Sequence, residues 1–136
     1  MSLDAVKILM KEAGTGWLAT CSGNRATLRP MGAWLWDGDD LVFATFRNSA
    51  KVSQIAQNPG VELGFSAPDW VHVRINGTMK LADDAEAAKR LYDANPPLQQ
   101  MFESHLDPKF AVLRMRVGSI RYFSMEKLGY ESVDLS

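Results

Sequence analysis

Apolar and polar positions change their period several times along the chain, and each change marks an element. Between residues 3 and 13, Leu3, Val6, Leu9 and Met10 recur at helical spacing, with Asp4, Lys7, Lys11 and Glu12 on the other faces. Ser2 suits an N-cap and Gly14 a stop, so a short amphipathic helix is predicted. From Gly16 the pattern becomes β-like. Residues 17–20 are apolar and β-prone, Ser22-Gly23-Asn24 is a turn, and residues 26–36 read as one strand returning along the first. Pro30 has no N–H and belongs at an edge or a bulge. Asp37-Gly38-Asp39 turns into a third strand at 41–45.

A helix is predicted over 49–57, with Val52, Ile55 and Ala56 on one face and Asn58-Pro59-Gly60 ending it. Residues 61–67 form a strand and Ala67-Pro68-Asp69 a turn. Val71, Val73 and Ile75 then alternate with His72, Arg74 and Asn76, as in a half-buried strand. Gly77 marks a bulge or a close approach in it. Residues 82–94 read as a helix capped by Asp83, Asn95-Pro96-Pro97 stops it, and a shorter helix spans 98–104. Strands at 113–117 and 120–125 precede a polar tail. Arg114, Arg116 and Arg121 alternate with apolar residues, which suits either a solvated sheet face or a partner subunit's share of a pocket. Six or seven short strands joined by hairpin turns indicate a sandwich or barrel. The helices interrupt the β pattern rather than alternate with it, which argues against a doubly wound parallel sheet.

The chain of 136 residues fits one domain, residues 1–136. Its formal net charge of −1 argues against nucleic-acid binding through an overall basic field. Cys21 is the one cysteine, so no internal disulfide forms. No apolar run reaches the length of a membrane span, and the N-terminus lacks the pattern of a signal peptide. A cytoplasmic protein without membrane or nucleic-acid partners is therefore expected. No His, Cys, Asp or Glu group has zinc-like spacing, so no metal is assigned.

Candidate chemistry concentrates in Thr45-Phe46-Arg47-Asn48-Ser49-Ala50-Lys51, where a strand hands over to a helix. The first N–H groups of a helix lack intrahelical partners and, with the dipole, favour an anion. Ser49 can cap the helix or bond a phosphate oxygen, and Lys51 supplies a full charge. If 41–45 pairs with 26–36, Arg29 comes close to Thr45 and grips the same anion from a second side. A Ser-x-Lys at a helix start equally suits a capped, solvated helix. Trp34 and Trp36 share one side of their strand and suit either an aromatic wall beside a bound ligand or a core or interface.

Residues 26–65 followed by 71–84, with an arginine at 29 and then Thr45-x-x-x-Ser49-x-Lys51, resemble the pyridoxamine 5′-phosphate oxidase-like family of FMN-binding split barrels. The resemblance covers roughly residues 16–92. It implies a mainly β fold, a six-stranded Greek-key split β-barrel with peripheral helices, forming a homodimer with FMN at the subunit interface. Arg29 and Lys51 would hold the flavin phosphate. Thr45 and Ser49 would add hydrogen bonds, and the backbone from Arg29 through Pro30 to Met31 would run along the isoalloxazine ring. Ala44 is implied beside the cofactor. Ala50 stands where the oxidases carry a second phosphate arginine, and His72 where the family often has a glutamine facing the flavin.

The substrate half departs from the family. Trp34 replaces a lysine that contacts pyridoxal phosphate, Asn95 stands near the position of a phosphate-binding arginine, and the C-terminus has no Arg-x-His element. The resemblance thus implies a general-stress-protein-like member rather than a true pyridoxamine phosphate oxidase. The functional expectation is an FMN-dependent oxidoreductase acting on a small molecule, with NAD(P)H as one candidate electron donor and no assigned catalytic side chain. The alternatives are a flavin-binding protein for redox sensing or storage, or a relative that binds F420 or haem.

Overall fold

Burial alternates along the strands and shows which face of each turns inward. The computed structural model describes all residues, Met1–Ser136. After helix α1 (Leu3–Ala13), strand β1 (Gly16–Ser22) buries Leu18 and Thr20 and turns Trp17 outward. Strands β2 (Arg25–Met31), β3 (Trp34–Asp37) and β4 (Asp40–Phe46) follow, then helix α2 (Ala50–Gln57). Strands β5 (Gly60–Ser66) and β6 (His72–Ala82) lead to helices α3 (Ala85–Ala94) and α4 (Leu98–Met101). The long β7 (Phe110–Ser124) and the short β8 (Gly129–Ser132) close the chain. No helix is long and apolar enough to cross a membrane.

All eight strands belong to one antiparallel sheet in the order β2-β1-β5-β6-β7-β4-β3, with β8 pairing β7. The mainly β class stands, but six strands become eight, and β2 and β3 at the two ends do not pair, so the sheet is not closed. The sheet wraps one apolar core of Leu18, Phe43, Leu63, Phe65, Ile75 and Met115, which Val6 and Met10 of α1 and Ile55 of α2 cover. A second core lies on the opposite face of β4 and β7, where Leu91 of α3 and Leu98 of α4 meet Val42, Ala44 and Val112. Strand β4 is therefore buried on both faces, which explains its unbroken run of apolar residues.

Several boundaries differ from the sequence expectation for identifiable reasons. Segment 26–36 breaks at Gly32-Ala33, so β2 pairs β1 while β3 pairs β4. Strand β4 consequently lies between β3 and β7, not against the strand carrying Arg29. Residues 113–117 and 120–125 belong to one strand of 15 residues, in which Gly118 is the extra, unpaired residue opposite Asn76 and Gly77. The register shifts between Asn76 and Gly77, and a Cβ on Gly77 would lie 2.2 Å from the Arg116 carbonyl oxygen. Gly77 thus marks both the bulge and the close approach that its place in the pattern predicts. Strand β6 runs on to Ala82, so α3 begins later than expected and Asp84, not Asp83, caps it by accepting from the Ala87 N–H at 3.0 Å. The polar tail contributes β8.

Arg114 is not a solvated residue of an open face. Its guanidinium donates to Asp37 Oδ2 and Asp84 Oδ2, both at 2.7 Å, and to Asp40 Oδ2 at 3.2 Å. One side chain thereby ties the β3–β4 turn, β7 and the cap of α3. The three carboxylates hold the Arg114 guanidinium above its usual range. The Ala87 N–H, and after it Arg114, hold the Asp84 carboxyl below its usual range. An acid with a depressed folded-state pKa stabilises above its unfolded pKa of about 4, and that contribution is lost as pH falls through the folded value. Arg114→Met is expected to cost about 2 kcal/mol in urea unfolding at pH 7. The gap between variant and wild type should shrink as pH is lowered below about 4.

Candidate phosphate cleft

The turn after β4 brings three polar side chains to one point. Thr45 is buried at the end of the strand, and Ser49 is the N-cap of α2. The Ser49 hydroxyl makes no capping bond. Instead the Lys51 ammonium, on the first turn of α2, donates to Thr45 Oγ1 at 2.6 Å and to Ser49 Oγ at 3.3 Å. Both acceptors are neutral.

Arg29 approaches the same helix from β2. Its guanidinium donates to Thr20 Oγ1 at 2.7 Å, Thr27 Oγ1 at 2.8 Å, Gln54 Oε1 at 3.1 Å and the Leu18 carbonyl at 3.2 Å. Every one of these acceptors is neutral as well. Gln54 lies three residues beyond Lys51, so one side of α2 carries both contacts. Arg29 and Thr45 thus meet through α2 and not through strand pairing. Neither Arg29 nor Lys51 has a carboxylate within 4.0 Å, whereas Arg74, Arg90 and Arg114 each form an ion pair. Burial, and after it the Arg29 charge, pushes the Lys51 ammonium below its usual range. Burial lowers Arg29 in the same way.

Lys51 faces a cleft of about 370 Å³, within the range of small-molecule sites. Residues 30–33 at the exit of β2 and residues 44–46 at the end of β4 form its walls on either side of Lys51. Asn95, Pro97, Leu98, Met101 and Phe102, around α4, form the facing wall. Pro30, Met31, Ala44, Thr45 and Lys51 are thus gathered in one cleft, with Ser49 attached through Lys51. Arg29 stands behind the cleft wall on Gln54, and Ala50 is exposed on the first turn of α2. Arg47 turns away and donates to the Pro108 and Phe110 carbonyls.

His72 is not brought to this cleft by its own chain. Its ring stacks on Phe123, with centroids 4.9 Å apart, and its Nε2 lies 2.7 Å from the Tyr130 hydroxyl. Its Nδ1 lies 2.5 Å from the Trp70 carbonyl oxygen. Trp34 and Trp36 are half-buried and pack on the main core, and the Trp34 indole donates to the Gly14 carbonyl at 2.7 Å. A larger hollow of about 520 Å³ lies beside α3, but its Arg47, Asp84 and Asp107 are already committed to carbonyls, Arg114 and backbone N–H groups.

The sequence expectation omits Thr20, Thr27 and Gln54. The two threonines are direct cross-strand partners in a two-residue hairpin, and Gln54 follows Lys51 at helical spacing, so both signals lie in the pattern itself. The α4 wall leaves no such signal, since its place depends on how α3 packs on β4.

The chain can be compared with known proteins. A sequence model described as pyridoxamine 5′-phosphate oxidase matches residues 2–124. No curated protein matches the chain in sequence. Among solved structures, a NimC/NimA family protein from Clostridium acetobutylicum is 28% identical, with a TM-score of 0.82 over 95% of this chain and 89% of that one. General Stress Protein 26 from Bacillus anthracis is 18% identical, with a TM-score of 0.80 over 95% and 96% of the two chains. HupZ from Group A Streptococcus is 18% identical, with a TM-score of 0.72 over 92% and 96%. At 18% identity the last two show a shared fold. The sequence match runs from the first helix into the last long strand, and on that ground the chain belongs to the pyridoxamine 5′-phosphate oxidase family.

Proposed function

We propose that the protein binds flavin mononucleotide in this cleft and acts as an FMN-dependent oxidoreductase on a small molecule. The observation that carries the reading is the pair of cations, Arg29 and Lys51, that α2 holds near each other with only neutral partners. A phosphate dianion supplies the compensating charge that the chain withholds. Lys51 and the Thr45 and Ser49 hydroxyls would hold its oxygens at the cleft, and Arg29 would add positive charge from behind Gln54. The apolar walls of Met31, Ala44, Leu98 and Phe102 suit a flat ring that excludes water. When bound, flavin mononucleotide supplies two-electron redox chemistry, which the protein positions and tunes.

The outer face of β1 and β2 bears on the assembly. Pro30 sits opposite Trp17 and Leu28 opposite Ala19, so these four side chains share one face. Trp17 is 50% exposed and Leu28 62% exposed. Pro30 belongs to both this apolar face and the cleft wall, so a second copy of the chain covering the face would also border the cofactor site. Light scattering is expected to give twice the 15.1 kDa chain mass, and Trp17→Lys with Leu28→Glu to give the single chain. A wild-type monomer would contradict the dimer.

The flavin reading is tested by adding FMN to the purified protein and following its absorbance and fluorescence. Saturable binding is expected, and Arg29→Ala with Lys51→Ala should weaken it about a hundredfold, through the loss of the Lys51 contact and of the positive charge behind it. Circular dichroism checks that the double variant keeps its fold. Equal affinity in variant and wild type would refute the site. Turnover of NAD(P)H with a small acceptor distinguishes an oxidoreductase from a protein that only binds flavin.

A further inference from the structure

A second cleft, of about 580 Å³, lies between α1 and β3. Lys7 and Lys11 are one helical turn apart on α1 and line one side of it. Trp34 and Trp36, two residues apart on β3, line the other. The Lys7 ammonium stands 4.8 Å from the centroid of the Trp36 ring, and the hydrogen bond to Gly14 fixes the Trp34 indole. Asp4 precedes Lys7 by three residues on the same helix, yet the two do not pair: Lys7 extends over the indole instead. Neither Lys7 nor Lys11 has a carboxylate within 4.0 Å, so the charge they bring to the cleft is not balanced there by the chain. No carboxylate lines the cleft.

We propose that this cleft binds a flat aromatic carboxylate, with Lys7 and Lys11 meeting the charge and the two indoles bounding the ring. The aromatic walls supply apolar contact area and ring edges for a planar partner. The charge is set by what surrounds the lysines. Lys11 lies in the last turn of α1, where the helix dipole is negative and disfavours a dianion more than a monoanion. The cleft offers no arginine fork and no helix N-terminus, the groups that suit phosphate. A monoanion is therefore the better match here, while the Lys51 cleft suits a dianion. Gly32 and Asn95 line both clefts, so the two sites adjoin without sharing a charged residue.

The test is calorimetric titration of the FMN-saturated protein with 1-naphthoate, 1-naphthyl phosphate and 1-naphthalenemethanol. Naphthoate is expected to bind at least about tenfold more tightly than the neutral alcohol, and more tightly than the phosphate ester. Lys7→Gln with Lys11→Gln should weaken naphthoate at least about tenfold and leave FMN affinity unchanged. Lys51→Ala should leave naphthoate binding unchanged. The proposal is overturned if naphthoate gives no binding heat, if the alcohol or the phosphate ester binds as well, if the lysine pair is dispensable, or if Lys51→Ala abolishes naphthoate binding. The same titrations on protein without FMN keep this outcome separate from the flavin reading, because the site shares no charged residue with the phosphate cleft.

Discussion

Two positive charges held close together without a carboxylate are costly, and the arrangement around α2 depends on that cost. Arg29 and Lys51 are half-buried, and each is bonded only to hydroxyl, amide or carbonyl oxygens. Elsewhere the fold treats charge differently. Arg114 has three aspartates and Arg74 has Glu62, so those guanidinium groups are balanced from within the chain. The overall charge of −1 conceals this imbalance around α2. The fold balances its other partly buried arginines and leaves these two cations to neutral partners, and the proposed phosphate site rests on that difference.

The scaffold explains how the two charges come together. Strand β4, buried on both faces, fixes Thr45 at the start of the turn. Helix α2 packs across β1, carrying Lys51 toward Thr45 and Gln54 toward Arg29. The opposite face of β4 receives α3 and α4, and their junction supplies the apolar wall of the cleft. The site therefore stands where both cores end, and the rigid elements of each contribute one side. The Arg114 contacts reinforce this by tying α3 to the β3–β4 turn.

Much of this was legible where the signals are local. Helical spacing places α1 and α2, the Thr45-x-x-x-Ser49-x-Lys51 segment places the charged turn, and Gly77 marks the bulge. What the pattern did not show depends on distant partners. The aspartates of Arg114 lie 30, 74 and 77 residues away, and an arginine alternating with apolar residues looks the same whether it meets water or carboxylates. Residues 26–36 keep a β-like pattern through Gly32-Ala33, so nothing local announces that the segment changes neighbours. That change sends β4 to β7 and makes Arg29 reach the site through Gln54. His72 alternates as a strand residue should, but its stacking on Phe123 and its bond to Tyr130, 58 residues on, follow from the sheet order.

The central claim concerns a phosphate group, so the most direct measurement compares two ligands that differ only in that group. Calorimetric titration of the wild-type protein with FMN and with riboflavin isolates the contribution of the ester. The account predicts FMN binding at least about a hundredfold tighter, with the difference shrinking as salt is raised. Equal affinity for the two ligands would show that Arg29 and Lys51 are not a phosphate site.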